Sequence, residues 1–437
     1  MSPRFDTLAP DCGFPGVRKM HERAVLSRRA WLQAAFGAGA GIALLRGAGA
    51  AGPPAAPEPS AGPPPVSPAE HRARLEKLQG LLQEQKVPAY LAESGPSLEY
   101  FTGVRWWRSE RTTAALIPAH GTPIVVTPFF EEPSIRETLK VSADVRTWQE
   151  DQDPFALLAD ALRGAGGGVL AVEPTTRYFI VERVTRAAGA SAALAQGEAL
   201  TRSCRSVKSA AELALLQAAN AVTIEALRRL HAEVRIGMDA SQILARQVEL
   251  TNSLGGTHEF TLVLVNEASA KPHGSLEPQR VREGSVVLVD TGCSVHGYQS
   301  DISRTWVIGA PSSRQRELWE TVRHGQQLAL ETARVGVPCG AVDRAVRTYY
   351  EGLGWRKDYA LPGLSHRTGH GIGMEVHESP YLVRNDATPL QPGMCFSDEP
   401  GLYIPGEFGV RLEDCWYMTS GGPKTFTPLA ASIEQPI

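Results

Sequence analysis

Residues 366–380, HRTGHGIGMEVHESP, set three histidines, His366, His370 and His377, among glycines at 369, 371 and 373. Spacing alone would allow a helical zinc pair at i, i+4, but the glycines disfavour helix and no HExxH is present. Glycines instead let the backbone come close to a metal or a substrate. One imidazole can then ligate a metal, while the other two donate protons or hydrogen bonds.

Carboxylates recur around this stretch where burial makes them costly. Asp290 closes the apolar run SVVLVD, whose β-branched residues predict a buried strand. An ionised aspartate there needs a partner or a metal. Asp301 stands eleven residues on and opens the next strand, so a hairpin would bring the two carboxylates face to face. Two like charges so held require a cation between them or a shared proton. Turn or cap roles are the alternative for each aspartate. Glu399 ends the apolar run of MCFSDEPGLYIP, and Glu413 in FGVRLEDCWYM reads as lying inside a strand, with Arg411 on the same face. Two aspartates, one histidine and two glutamates make a set rich in hard oxygens, suited to a pair of Mn²⁺, Co²⁺, Fe²⁺ or Zn²⁺ ions. Two ions ~3.5–4 Å apart polarise a carbonyl and acidify bound water, and the chemistry this predicts is hydrolysis.

The elements around these residues predict two α/β domains. From Ser67, a capping serine with Glu70 three residues later opens a helix with leucines at 75, 78, 81 and 82. Strand-like AYLAE, TAALIPA, TPIVVTP and GGVLAVEP alternate with helical FALLADALRGAG and YFIVERVTRAAG. This predicts a first domain over 67–205. Over 206–432 the order is two helices then strands, twice, as in two similar halves of one domain.

The preceding residues read differently. Residues 1–50 carry SRRAWLQAAFGAGAGIALLRGAGAAG, a basic pair followed by a Gly/Ala-diluted apolar stretch and a small-residue site, Ala48-Gly49-Ala50. Arg28-Arg29 resembles a twin-arginine export signal, whose passengers cross the membrane already folded. The expected location is periplasmic or extracellular. Arg46 interrupts a stretch already shorter than the ~20 residues a bilayer span needs, so no stable span is expected once the signal is removed. Residues 51–66, AGPPAAPEPSAGPPPV, read as an extended Pro/Ala-rich linker. A formal charge of −3, with both signs interspersed, argues against nucleic acid as a partner. Of six cysteines, Cys12 would leave with the signal. The other five are an odd number without a C-x-x-C pair, which suits neither a disulfide framework nor a thiolate zinc site.

LVDTGCSVHGYQSDISRTW, HRTGHGIGMEVHESP, SDEPGLY and GVRLED, in this order, resemble the pita-bread metallopeptidases of the prolidase, or Xaa-Pro aminopeptidase, family. The segment with SLEYFTG and TPIVVTPFFEE is similar, more weakly, to that family's creatinase-like N-terminal domain. The resemblance implies a pita-bread catalytic domain and a dinuclear centre held by Asp290, Asp301, His370, Glu399 and Glu413. Manganese is the foremost metal, with cobalt, zinc and iron as alternatives. It implies that Asp301 and Glu413 bridge the ions and that Glu399 also relays protons. His377 would steady the tetrahedral intermediate, and His273 in AKPHGS would be a second histidine on the substrate side. His366 and Arg411 fall on supporting or substrate-contacting positions. The activity implied is hydrolysis of Xaa-Pro bonds in dipeptides or short peptides by a homodimer. Creatinase-like hydrolases and metal-dependent lyases on the same fold are the alternatives, followed by a non-catalytic binding module.

Overall fold

The computed structural model describes residues 62–189 and 192–437; the expected signal and most of the linker lie outside them. The helix Pro68–Glu84 starts where Ser67 Oγ accepts the Glu70 amide, and it buries Leu75, Leu78 and Leu82. These leucines pack against a six-stranded mixed sheet. Its strands are β1 (Ala89–Glu93), β2 (Ala114–Pro118), β3 (Ile124–Pro128), β4 (Asp144–Trp148), β5 (Val169–Val172) and β6 (Ala193–Gln196), in the order β4-β3-β2-β1-β5-β6. Every residue of β1, β2 and β3 is buried, as a strand covered on both faces by helices requires.

Next come two helices, Ala210–Glu233 and Ala240–Ser253, each opened by a reciprocal capping box, Ser209 with Glu212 and Asp239 with Gln242. The strands after them are β7 (Thr257–Val265), β8 (Val286–Val295), β9 (Tyr298–Gln299) and β10 (Ile302–Val307), with β8 central between β10 and β7. The pattern then recurs: helices Ser313–Thr332 and Cys339–Gly352 precede β11 (Gly369–Gly371), β12 (Glu378–Leu382), β13 (Cys395–Asp398), β14 (Gly401–Tyr403), β15 (Gly409–Arg411), β16 (Asp414–Thr419) and β17 (Gly422–Thr425). Five of these strands form a sheet ordered β12-β11-β13-β16-β17, while β14 and β15 pair separately.

The core does not stop at the boundary between the domains. Leu78, Leu82, Tyr100 and Phe101 of the first domain share one buried cluster with Leu215, Leu216, Tyr298, Ile372, Cys395 and Cys415 of the second. Polar contacts run alongside: Arg74 donates to the Tyr298 hydroxyl at 2.9 Å, which donates to Glu212 at 2.9 Å. The strands of the site are thus packed from behind by the N-terminal domain.

Candidate active site

β8, β9 and β10 form one continuous hairpin around a two-residue turn, His296-Gly297, both at positive φ (48° and 84°). Such a turn matches the right-handed twist of the paired strands. Its register sets Asp290 opposite Ser303, and by continuation Asp301 opposite Gly292. Asp290 and Asp301 therefore lie on one face as diagonal neighbours rather than directly opposed. Gly292 is required there, because a Cβ would collide with the Ser300 carbonyl and the Phe260 ring.

The second half of the domain brings the other donors to this face. His370 lies in β11, outside any helix as its glycine neighbours predict, and its Nδ1 contacts the Gly371 carbonyl at 3.1 Å. With Nδ1–H donating there, Nε2 keeps its lone pair free for a cation and lies 3.5 Å from Asp301 and 3.4 Å from Glu399. Glu399 directly follows β13, and its amide donates to Thr368 O at 2.8 Å. Thr368 in turn donates twice to buried Asp343, which is paired with Arg347 at 2.8 Å, so the helix Cys339–Gly352 holds this strand end from below.

Glu413 does not lie inside a strand, as its apolar neighbours suggest. It occupies the short link between β15 and β16, and its amide donates to Ser303 O at 3.1 Å. Strand pairing ends at Arg411 because this amide is used by β10 instead, and that aims the carboxylate inward. Ser303 Oγ accepts from Arg411 Nε (2.9 Å) and donates to Glu413 (2.7 Å), and Arg411 also donates to Asp290 at 2.5 Å. Arg411 and Glu413 do point the same way, as expected.

Four carboxylates and one imidazole thus converge. The donor atoms of Asp290, Asp301 and Glu413 lie within 4.8 Å of one another, as do those of His370, Glu399 and Glu413, and those of Asp301, His370 and His377. Glu413, Asp301 and His370 each belong to two of the three groups. One buried oxygen each of Asp290, Asp301 and Glu413 lacks a hydrogen-bond partner. Buried orphan carboxylate oxygens at such spacing fit divalent cations, with these five side chains as the residues to hold them. Without cations, burial and mutual repulsion raise the pKa of Glu399, Asp301 and Glu413, making them weaker acids. Glu399 is pushed up to about 7, chiefly by burial and further by Asp301 and Asp290, against the pull of His370 and Arg411. Burial, then Asp290, raises Asp301, and burial, then Asp301, raises Glu413.

The donors floor a cavity of about 470 Å³, with Phe260, Leu262 and Val376 as its apolar wall and Thr261, His273 and His377 at its polar margins. His377 and His273 are exposed there. The His377 ring meets His370 edge-on with centroids 4.1 Å apart. His366 stands apart from the cavity wall. Its Nδ1 contacts Arg367 O at 2.8 Å and its Nε2 the Tyr403 hydroxyl at 2.7 Å, and it reaches Glu399 only at 3.8 Å. Burial, helped by Arg411, lowers His366 to about 3, so it is a neutral hydrogen-bonding partner behind Glu399. Ser303 and Tyr403 are not singled out by the sequence. Ser303 had a signal, since it shares the strand face of Asp301 at i+2; Tyr403 sits in an ordinary apolar strand.

Residues 214–420 match the model of metallopeptidase family M24, and residues 74–207 match the creatinase/prolidase N-terminal domain. An Xaa-Pro dipeptidase of Lactobacillus helveticus is 32% identical over 81% of this chain and 96% of its own length. The chain belongs to metallopeptidase family M24. Its backbone is similar to the crystal structure of dipeptidase PepE from Mycobacterium ulcerans (TM-score 0.76, 31% identity, 84% of this chain and 97% of that one). It is also similar to an X-Pro aminopeptidase from Thermotoga maritima (TM-score 0.72, 25% identity, 82% and 98%). As an M24 metallopeptidase it is a metal-dependent hydrolase, with a creatinase-type N-terminal domain ahead of a pita-bread catalytic domain.

Proposed function

We propose that this M24 enzyme hydrolyses the Xaa-Pro bond of dipeptides or short peptides. The observation that carries the reading is the convergence of Asp290, Asp301, His370, Glu399 and Glu413 on one wall of a cavity of about 470 Å³, a dipeptide-sized space. The identity to a named Xaa-Pro dipeptidase along nearly its whole length supports the same specificity. Two divalent ions in this set, manganese foremost, supply Lewis acidity and acidify water. Glu399, within reach of His370 and Glu413, is the carboxylate that holds and returns a proton. His377 and His273 donate to the oxyanion that develops at the scissile carbonyl. Arg411 fixes Asp290 and Ser303, and His366 with Tyr403 backs Glu399. The bond before proline has no N–H, so recognition rests on the ring, for which Phe260, Leu262 and Val376 offer an apolar wall.

Export of the folded enzyme through a twin-arginine signal is part of this reading. It is supported by the buried free thiols of Cys204, Cys293, Cys339, Cys395 and Cys415, which suit folding in a reducing compartment. A homodimer is the proposed assembly.

The test is to purify the mature chain, quantify its ions, and compare Xaa-Pro dipeptides with longer Xaa-Pro peptides, using Glu399→Ala as control. Two ions per chain, with hydrolysis abolished in the control, is the expected result, and the preferred length separates dipeptidase from aminopeptidase. Bound metal with neither substrate cleaved would overturn the reading in favour of a lyase or another hydrolase.

A further inference from the structure

The His377 ring, like that of His273, is held by no hydrogen bond among the described residues; it meets the edge of His370. Its place must be set by the backbone that carries it, the turn between β11 and β12. That turn is clamped at its middle and at its end by an ionic cluster whose Glu375 is partly exposed. Glu378, directly after His377, gives one carboxylate oxygen to Arg205 (2.5 Å) and the other to Lys208 (2.6 Å). Glu375, two residues before His377, pairs with the same guanidinium at 2.9 Å. The Arg205, Lys208 and Glu378 side chains are 5%, 2% and 7% exposed, so solvent screens these contacts little. Gly373 lacks the Cβ that would strike the Glu378 carboxylate folded beneath it, and its carbonyl accepts the Gln299 amide from the aspartate hairpin at 2.8 Å.

The two cations come from the joint between the domains. Arg205 ends the helix Glu198–Arg205 and Lys208 follows three residues later. Arg205 also reaches back into the N-terminal domain through Ser97 Oγ (3.1 Å), whose hydroxyl donates to Glu173 (3.2 Å). We propose that Arg205, gripping Glu375 and Glu378, is a positioning residue that fixes His377 over the metal-binding floor, and that the interdomain joint thereby sets the catalytic rate. The two carboxylates flanking this imidazole are both paired with one arginine; they line a separate hollow behind His377, not the cavity at Asp290, and belong to none of the clustered metal-donor groups. Their geometry is that of a clamp on the turn.

This rests on the reading of His377 as the oxyanion's partner, and a double-variant cycle separates the two. Kinetics on an Xaa-Pro dipeptide would be measured for Arg205→Met, His377→Ala and the pair, with metal content for each. The expected result is a kcat about 10²-fold lower for Arg205→Met, the scale of a misplacement of about 1 Å, with KM and bound metal unchanged. In the His377→Ala background the same substitution should change kcat less than about threefold. Arg205→Lys, which keeps the charge but not the fork, should recover part of the loss, and with Glu378→Gln it supplies the cycle if Arg205→Met does not fold. Equal losses in both backgrounds, or a loss that follows metal content, would overturn the clamp while leaving His377 in its role. Wild-type kcat in His377→Ala would overturn the role and the clamp together.

Discussion

Removing the metal should make the stability of this protein depend on pH in a particular direction. In the metal-free site Glu399 titrates near 7 instead of its ordinary 4.5, and its side chain is only 15% exposed. Above pH 4.5 the unfolded chain releases this proton while the folded protein keeps it, so folding is penalised increasingly up to about pH 7 and by a constant amount beyond. The 2.5-unit difference between 4.5 and 7 corresponds to about 3 kcal/mol. Asp301 and Glu413, raised for the same reasons, push the same way. With cations bound, the carboxylates are stabilised as anions and the penalty vanishes. Surface acids titrate alike with and without metal, so the informative quantity is the gap in Tm between metal-saturated and chelated protein. That gap should widen between pH 5 and pH 8, on the order of 5 °C or more for a chain of this size. Calorimetric melts at the two pH values measure it. A gap that is constant or narrows with rising pH would refute the convergence of these carboxylates on a shared cation site.

Two substitutions test the scaffold. Arg304, fully buried, donates to Asp414 at 2.7 Å and to the Glu413 carbonyl at 2.7 Å; Arg304→Met leaves a buried aspartate with hydrogen bonds from Gln326 and Thr427 but without its cation, and should cost about 3 kcal/mol in urea unfolding. Gly292→Ala, whose Cβ would meet the Ser300 carbonyl, should spread the aspartate hairpin, costing about 1–3 kcal/mol and weakening metal binding measured by titration.

How much of this is legible without coordinates depends on where each contact originates. Asp290 announces itself by interrupting a continuous apolar run, and the helices by their caps and leucine spacing, because these are local properties. That His370 lies outside a helix follows from its glycines. The position of Glu413 is not local: its amide is taken by Ser303, 110 residues away along the chain, and this removes it from the strand that its neighbours predict. The support given by Asp343, Thr368 and Tyr403 is equally non-local, since each is an ordinary residue in an ordinary element until another segment packs against it. The short helix Pro96–Thr102 is a different case, with a proline at its first turn and Gly103 at φ 81° closing it. Those signals are present in sequence, but seven residues are too few to show a periodicity.

The hairpin also limits how this protein can change length. Asp290 and Asp301 share a face only because the strands between them are paired without a bulge and the turn has two residues. One residue inserted within either strand would turn an aspartate to the opposite face of the sheet. The turn itself is the usual place to absorb an insertion. Here, however, it is pressed against the other domain: a Cβ on Gly297 would lie 3.0 Å from Arg105 and 3.2 Å from Glu99, and Tyr298 is pinned to Arg74 and Glu212. The ten residues between the two aspartates are therefore a fixed ruler whose far end is read by the neighbouring domain.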